Sequence, residues 1–153
     1  MPGVSVFVDS NVLLYARDEE EEDRAQLAAD WLRLLLDLGC GRTNLQALNE
    51  VTNVLLRKRR HLAPEQVFKQ VDDLRPLGSA PITWEIVSAA RAIRIDTRYA
   101  WWDCVLLASA LDLGCTHFLS EDMQDGQTIA IGSQALTIVD PFAHSPLHIL
   151  THH

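Results

Sequence analysis

Four carboxylates, Asp9, Glu50, Asp103 and Asp122, stand where one sequence pattern gives way to another in this 153-residue chain. Asp9 ends the β-branched run "VSVFV", Asp103 enters the apolar stretch "WWDCVLLASAL", Asp122 follows the apolar run of "HFLSEDMQDG", and Glu50 lies inside a helical pattern. Each has an ordinary structural reading when taken alone. "SEDMQDG" is an acidic turn closed by glycine, Glu50 a solvated helix residue, and Asp103 an N-cap for the first backbone N–H groups of its helix. Taken together these readings weaken, because carboxylates drawn to one place raise one another's pKa unless a cation is present. A hard divalent ion such as Mg²⁺ or Mn²⁺ takes oxygen ligands. Such an ion lowers the pKa of a bound water and neutralises a phosphodiester.

The surrounding pattern predicts which elements hold these acids. A first strand spans Val4–Val8, and helices cover 22–38 (ending before Gly39), Leu45–Arg60, Pro64–Arg75, Trp84–Arg98 and Trp102–Leu113. The last of these is apolar nearly all round, which marks a buried helix. Short strands are expected near Cys40, in "APIT", in "CTHFLS" and in "ALTIVDPF". Strands alternating with helices indicate an α/β layer fold with a mainly parallel sheet. Ligands of such sheets lie beyond the carboxyl ends of the strands, at the switch point of the topology. Asp9 and Asp122 both follow strands, so they share that edge if the two strands are neighbours. Glu50 falls on a polar arc with Gln46, Asn49, Asn53 and Arg57, beside the apolar arc of Leu48, Val51 and Leu55.

The length indicates one domain, and 48% hydrophobic residues are enough for a substantial core. Cys40, Cys104 and Cys115 are odd in number and sit in apolar runs, so they read as small buried hydrophobes in a reducing, cytosolic compartment. The start lacks a basic leader, and no segment reaches the ~18 continuous apolar residues of a membrane span. A net charge of −8 argues against a phosphate binder, but the charge is unevenly spread. Acids crowd into "DEEEEDR" (18–24), whereas Arg57, Lys58, Arg59 and Arg60 form a basic run and Arg91, Arg94 and Arg98 a second stripe.

Four segments, "FVDSNVLLYA", "QALNEVTNVLLRK", "WWDCVLLASALDLGC" and "FLSEDMQDG", in this order and followed by "IVDPF", resemble the PIN-domain ribonucleases, and among them the VapC-type toxins of bacterial toxin–antitoxin pairs. The resemblance runs from about Val4 to Phe142. It implies a PIN-like three-layer α/β/α domain over residues 1–142, with residues 143–153 a tail to which no role is assigned. It also implies a Mg²⁺- or Mn²⁺-dependent endoribonuclease that cuts single-stranded or loop RNA, tRNA or rRNA loops among them. In-line attack of water and departure of the 3′ oxygen would leave 5′-phosphate and 3′-hydroxyl ends. By position Asp9, Glu50 and Asp103 match the family's first three acids and Asp122 the last, with Asp125 at a nearby variable acidic position. In that scheme Asp9, Asp103 and Asp122 hold the ion with Asp125 as an outer ligand, and Glu50 orients the nucleophile or completes a second metal position. Ser10 and Asn11 match the polar pair after the first acid, Ser120 opens the last acidic element, and Glu121 is expected to face solvent. Arg57, Lys58, Arg59 and Arg60 are expected to meet RNA or the antitoxin. The implied partners are a cognate VapB-type antitoxin, whose C-terminal segment crosses the groove, and a second copy in a homodimer; the implied location is the cytoplasm.

Competing readings fit less well. A dehalogenase-type phosphotransferase needs a second aspartate where Asn11 stands and a later lysine, and the only lysines, Lys58 and Lys69, lie in predicted helices. The same lack counts against a receiver domain. An EF-hand loop read from Glu121 puts Met123 where an oxygen ligand is required. The remaining alternative is a PIN-like module that binds RNA or protein without cutting it.

Overall fold

The computed structural model describes residues 3–18 and 20–151. Glu19 of the acidic run and His152 and His153 of the tail lie outside the described residues. Strand β1 (Val6–Val8) is followed by helices α1 (Ser10–Tyr15) and α2 (Glu22–Leu38), and β2 (Gly41–Arg42) by α3 (Leu45–Lys58), α4 (Pro64–Asp72), α5 (Trp84–Thr97) and α6 (Trp101–Asp112). Then come β3 (His117–Leu119), β4 (Thr128–Ile131), β5 (Gln134–Val139) and α7 (Pro146–Thr151).

The five strands are ordered β2-β1-β3-β5-β4, parallel except for the β4–β5 hairpin. The chain leaves β1 for β2 on one side and returns to β3 on the other, so the topology switches between β1 and β3. All three residues of each of these strands are buried. Since successive side chains point to opposite faces, both faces of the sheet are covered by helices, as the α/β expectation requires. Phe7 and Phe118 pair in register and stack with centroids 5.3 Å apart and planes 5° from parallel, which fixes the β1–β3 alignment at the centre of the core. Helix α6 has no polar face, and Cys104–Leu111 are all buried.

Several expectations are corrected. "APIT" is not a strand: Ala80 makes only an isolated bridge to Asn44. The third predicted helix stops at Asp72 and resumes as a short 3₁₀ turn, Arg75–Leu77, where Pro76 cannot supply a helical N–H. Cys40 is half-buried, whereas Cys104 and Cys115 are buried as expected. Helix α1, strand β4 and helix α7 were not anticipated. Helix α7 packs on α2, with Ile149 and Leu150 against the core, and the Trp31 indole N–H donates to the Pro141 carbonyl (3.0 Å) where the chain enters the tail. No helix among the described residues is long and apolar enough to cross a membrane.

Gly41 is held by close packing. A Cβ there would stand 2.8 Å from Leu77 Cδ2 and 3.0 Å from Leu35 Cβ, the latter fixed to the α2 backbone. Gly41→Ala is expected to cost about 1–3 kcal/mol, the range for overpacking a filled core. Urea unfolding checks this, and an unchanged midpoint would contradict it.

Candidate functional site

Asp9 and Ser120 are the first residues beyond β1 and β3, and the pairing of those strands brings them side by side. The Asp9 N–H continues the ladder onto the Leu119 carbonyl (3.0 Å), and the Ser120 hydroxyl donates to Asp9 Oδ2 (2.8 Å). Asp9 also caps α1: its Oδ1 accepts from the Ser10 N–H at 2.7 Å. Asp9 is only 3% exposed. Burial, outweighing the Ser120 and Ser10 hydrogen bonds and reinforced by the negative charges of Asp103 and Glu50, pushes its pKa up to about 7.

The turn after Ser120 folds back on the same corner. Asn11, in the first turn of α1, donates through Nδ2 to Asp122 Oδ2 (2.8 Å) and to Ser120 Oγ (3.3 Å), and the Asp122 N–H reaches Ser120 Oγ at 3.3 Å. Asn11 Oδ1 is buried and has no hydrogen-bond donor. An acceptor left this way is costly unless water or a cation meets it.

Two acids arrive from helices. Helix α3 begins at Asn44, whose side chain accepts from the Ala47 N–H (3.0 Å), and it buries Ala47, Leu48, Val51 and Leu55. Glu50 flanks that stripe as predicted, half-buried, with Gln46 Nε2 donating to its Oε1 at 3.2 Å. Asp103 belongs to the first turn of α6, but Ala100 occupies the N-cap position, so the expected capping role is not what the structure shows. Its pKa is raised, first by desolvation and then by the charges of Asp122 and Glu50. A carboxylate in the first turn is stabilised by the helix dipole. Here burial and the neighbouring charges outweigh that stabilisation.

Asp125 does not join this group. Its Oδ1 accepts from the Asp140 N–H (2.9 Å) and its Oδ2 pairs with His144 Nε2 (2.8 Å). Desolvation is the largest single influence on it, but the Asp140 and His144 hydrogen bonds and the His144 charge together hold its carboxyl below the usual range. Glu121 was expected to face solvent and instead forms an ion pair with Arg24 of α2. The Arg24 guanidinium lies over the rings of Phe142 (5.0 Å) and Tyr15 (5.6 Å), which themselves meet edge to face at 5.2 Å. Sequence reading missed Arg24 and His144 because their partners lie far away along the chain.

The basic run at the end of α3 is divided. Arg57 and Lys58 are exposed, Arg59 caps the helix and donates to the Arg17 carbonyl, and Arg60 follows on the surface. Lys58 and Arg59 line a hollow of about 320 Å³ together with Leu14, Asp18, Val54 and His61.

The donor set is all oxygen, which fits a hard cation. Among the described residues no three acidic, His or Cys side chains stand close enough to enclose an ion unaided.

Comparison with known proteins adds two findings. The family model for the PIN domain matches residues 6–124. A solved toxin–antitoxin complex from Klebsiella pneumoniae contains a chain of similar fold, with a TM-score of 0.63 at 18% identity, covering 90% of this chain and 98% of that chain. No curated protein matches the sequence.

Proposed function

The chain belongs to the PIN-domain family, whose members are generally nucleases, and from that premise we propose that it is a Mg²⁺- or Mn²⁺-dependent endoribonuclease acting as the toxin of a toxin–antitoxin pair. The observation that carries the catalytic reading is the buried Asp9 at the β1–β3 switch point, electrostatically coupled to Asp103 and Glu50. A structural aspartate gains nothing from such company. A ligand for a cation needs it.

Asp9, Asp103 and Asp122 would hold the ion, directly or through water. Bound there, the ion would lower the pKa of the attacking water and offset the charge of the phosphodiester. The Ser120 hydroxyl and Ser10 N–H, both donors, favour the ionised form of Asp9 and fix its two oxygens in direction. Asn11 fixes Asp122 in the same way. Glu50 is half-buried on α3, where it would orient the attacking water or complete a second metal position. The exposed Arg57 and Lys58 lie seven and eight residues beyond Glu50, roughly 10–12 Å along the helix, within reach of neighbouring phosphates of a bound strand. The similar fold found in a toxin–antitoxin complex supports an antitoxin partner.

Purified protein incubated with total RNA in Mg²⁺, Mn²⁺ or EDTA tests this reading. Fragments with 5′-phosphates in metal alone are expected; RNA that is bound and left intact in every condition would favour the non-cleaving module.

Arg24 should matter although it is not one of the acids. Its pairing with Glu121 holds the Ser120–Asp122 turn against α2. Arg24→Ala is expected to lower Mn²⁺ affinity about tenfold, the scale for partners that orient metal ligands. Stability should change by less than ~1 kcal/mol, as for an exposed pair. Arg24→Lys should recover only part of the affinity, since an ammonium lacks the planar stacking surface. Calorimetric titration with Mn²⁺ decides, and equal affinity in all three proteins would sink the idea.

A further inference from the structure

Trp101 and Trp102 open α6 immediately before Asp103, and they are 37% and 55% exposed. Every residue from Cys104 to Leu111 is buried, so the helix passes from surface to interior within one turn at the edge of the site. Neither indole has a ring or hydrogen-bond partner among the described residues. The other two tryptophans differ. Trp31 is buried, and Trp84 has the Arg91 guanidinium 4.7 Å above its ring. Trp84 also begins α5, thirteen residues before that helix ends beside α6, so it lies roughly 20 Å from the site end of the helix pair.

The segment leading into the two indoles is tied to the loop that follows Asp122. The Tyr99 hydroxyl bonds Gln127 and accepts from the Gln124 N–H at 3.1 Å. Arg98 caps α5 in the left-handed conformation (φ 64°) and is exposed. Arg94 is spent on the carbonyls of Arg98 and Tyr99, and Arg91 on Trp84. Of the second basic stripe, Arg98 alone keeps its side chain without a partner among the described residues.

A cleft lined by carboxylates in a chain of net charge −8 repels a polyanion, so beside it contacts that carry no charge complement those that basic side chains make with phosphates. Stacking of unpaired bases on an indole is such a contact, and it tolerates any base. We propose that Trp101 and Trp102 form a stacking platform for unpaired nucleobases of single-stranded RNA beside the phosphodiester at Asp103, with Arg98 against the adjoining phosphate. This rests on the ribonuclease reading for its substrate class.

The test measures binding and cleavage separately. Fluorescence anisotropy of a labelled oligoadenylate RNA is followed with metal-free protein in EDTA, and cleavage of the same strand is followed in Mn²⁺. Trp101→Ala and Trp102→Ala should each weaken binding about 5- to 100-fold, the range for one stacked base. In cleavage, KM should rise by a similar factor with kcat little changed. Trp102→Phe should stay near the wild type, Trp84→Ala should have no effect, and an oligonucleotide with abasic positions should bind the wild type as weakly as the intact strand binds Trp102→Ala. Unchanged RNA affinity in the Trp101→Ala/Trp102→Ala double variant, with its thermal melt intact, would overturn the platform. If that variant kept its RNA affinity and sedimented as a monomer where the wild type is a dimer, the indoles would belong to the interface with a second copy, and the platform would again be wrong. Indole-dependent binding without Mn²⁺-dependent cleavage would leave the platform standing and reject the nuclease reading instead.

Discussion

Asp9→Asn will abolish metal-dependent RNA cleavage, by at least about 10³-fold as for a group that acts only with its neighbours, and at pH 8 in EDTA the variant will melt above the wild type. Both effects have one cause. Asp9 is buried beside Asp103 and Glu50, and its pKa is pushed from 3.8 to about 7, mainly by that burial. Ionising it at pH 8 therefore works against the fold by a few kcal/mol, on the scale of about 1.4 kcal/mol per pKa unit. Asparagine removes the charge but keeps only one acceptor for Ser120 and Ser10, which returns about 1 kcal/mol of the gain. At ~2–4 °C per kcal/mol for a chain of this size, the net rise should be on the order of 10 °C. Differential scanning fluorimetry beside an RNA cleavage assay checks both halves. An inactive variant that melts below the wild type would mean that Asp9 serves the fold and not a charge-dependent site.

The pH dependence of the metal-free protein follows from the same residue. A carboxyl whose folded pKa lies above its unfolded value binds more protons in the native state. Its stabilising contribution is complete below about pH 4 and is lost as pH rises through about 7. Asp103, also raised, adds in the same direction. Asp125, which is lowered, runs the other way and contributes stability that fades in acid. The comparison is therefore best made as wild type minus Asp9→Asn, which cancels Asp125. That difference should fall by a few kcal/mol between pH 4 and pH 8 in EDTA. Saturating Mn²⁺ should reverse it above pH 7, because a ligand that binds only the native state stabilises it. Binding must displace the Asp9 proton, so Mn²⁺ affinity should climb up to about tenfold per pH unit below pH 7. Calorimetry in buffers of different ionisation enthalpy measures the released proton. A flat difference curve, with no proton release, would contradict the account.

How far the sequence disclosed this site depends on the range of each signal. The sequence places Asp9 and Asp122 at one sheet edge because strand ends are marked locally by β-branched or apolar runs that stop at polar residues. Whether β1 and β3 are neighbours is a long-range fact, established by the three-residue parallel ladder in which Phe7 stands opposite Phe118. Glu50 followed from helical periodicity, which is strong over fourteen residues. The N-cap assigned to Asp103 failed because the helix starts earlier, at Trp101, an apolar residue that gives no boundary signal. Helices α1 and α7 have six residues each, too short for periodicity to register. Their caps were legible nonetheless: Asp9 precedes one, and Ser145 with Pro146 opens the other, where the His148 N–H meets Ser145 Oγ. Strand β4 was missed although Gly132 (φ 60°) and Ser133 form a two-residue turn of the kind that signals a hairpin. The Arg24–Glu121 pair had no local signal at all.

The central claim is that these acids cut RNA, and mapping of 5′-monophosphate ends after brief controlled expression tests it most directly. Total RNA from cells expressing the wild type should show new, discrete 5′-monophosphate ends in unpaired regions, and RNA from cells expressing Asp9→Asn at equal abundance should show none of them. The same ends in both samples, or none in either, would contradict the claim.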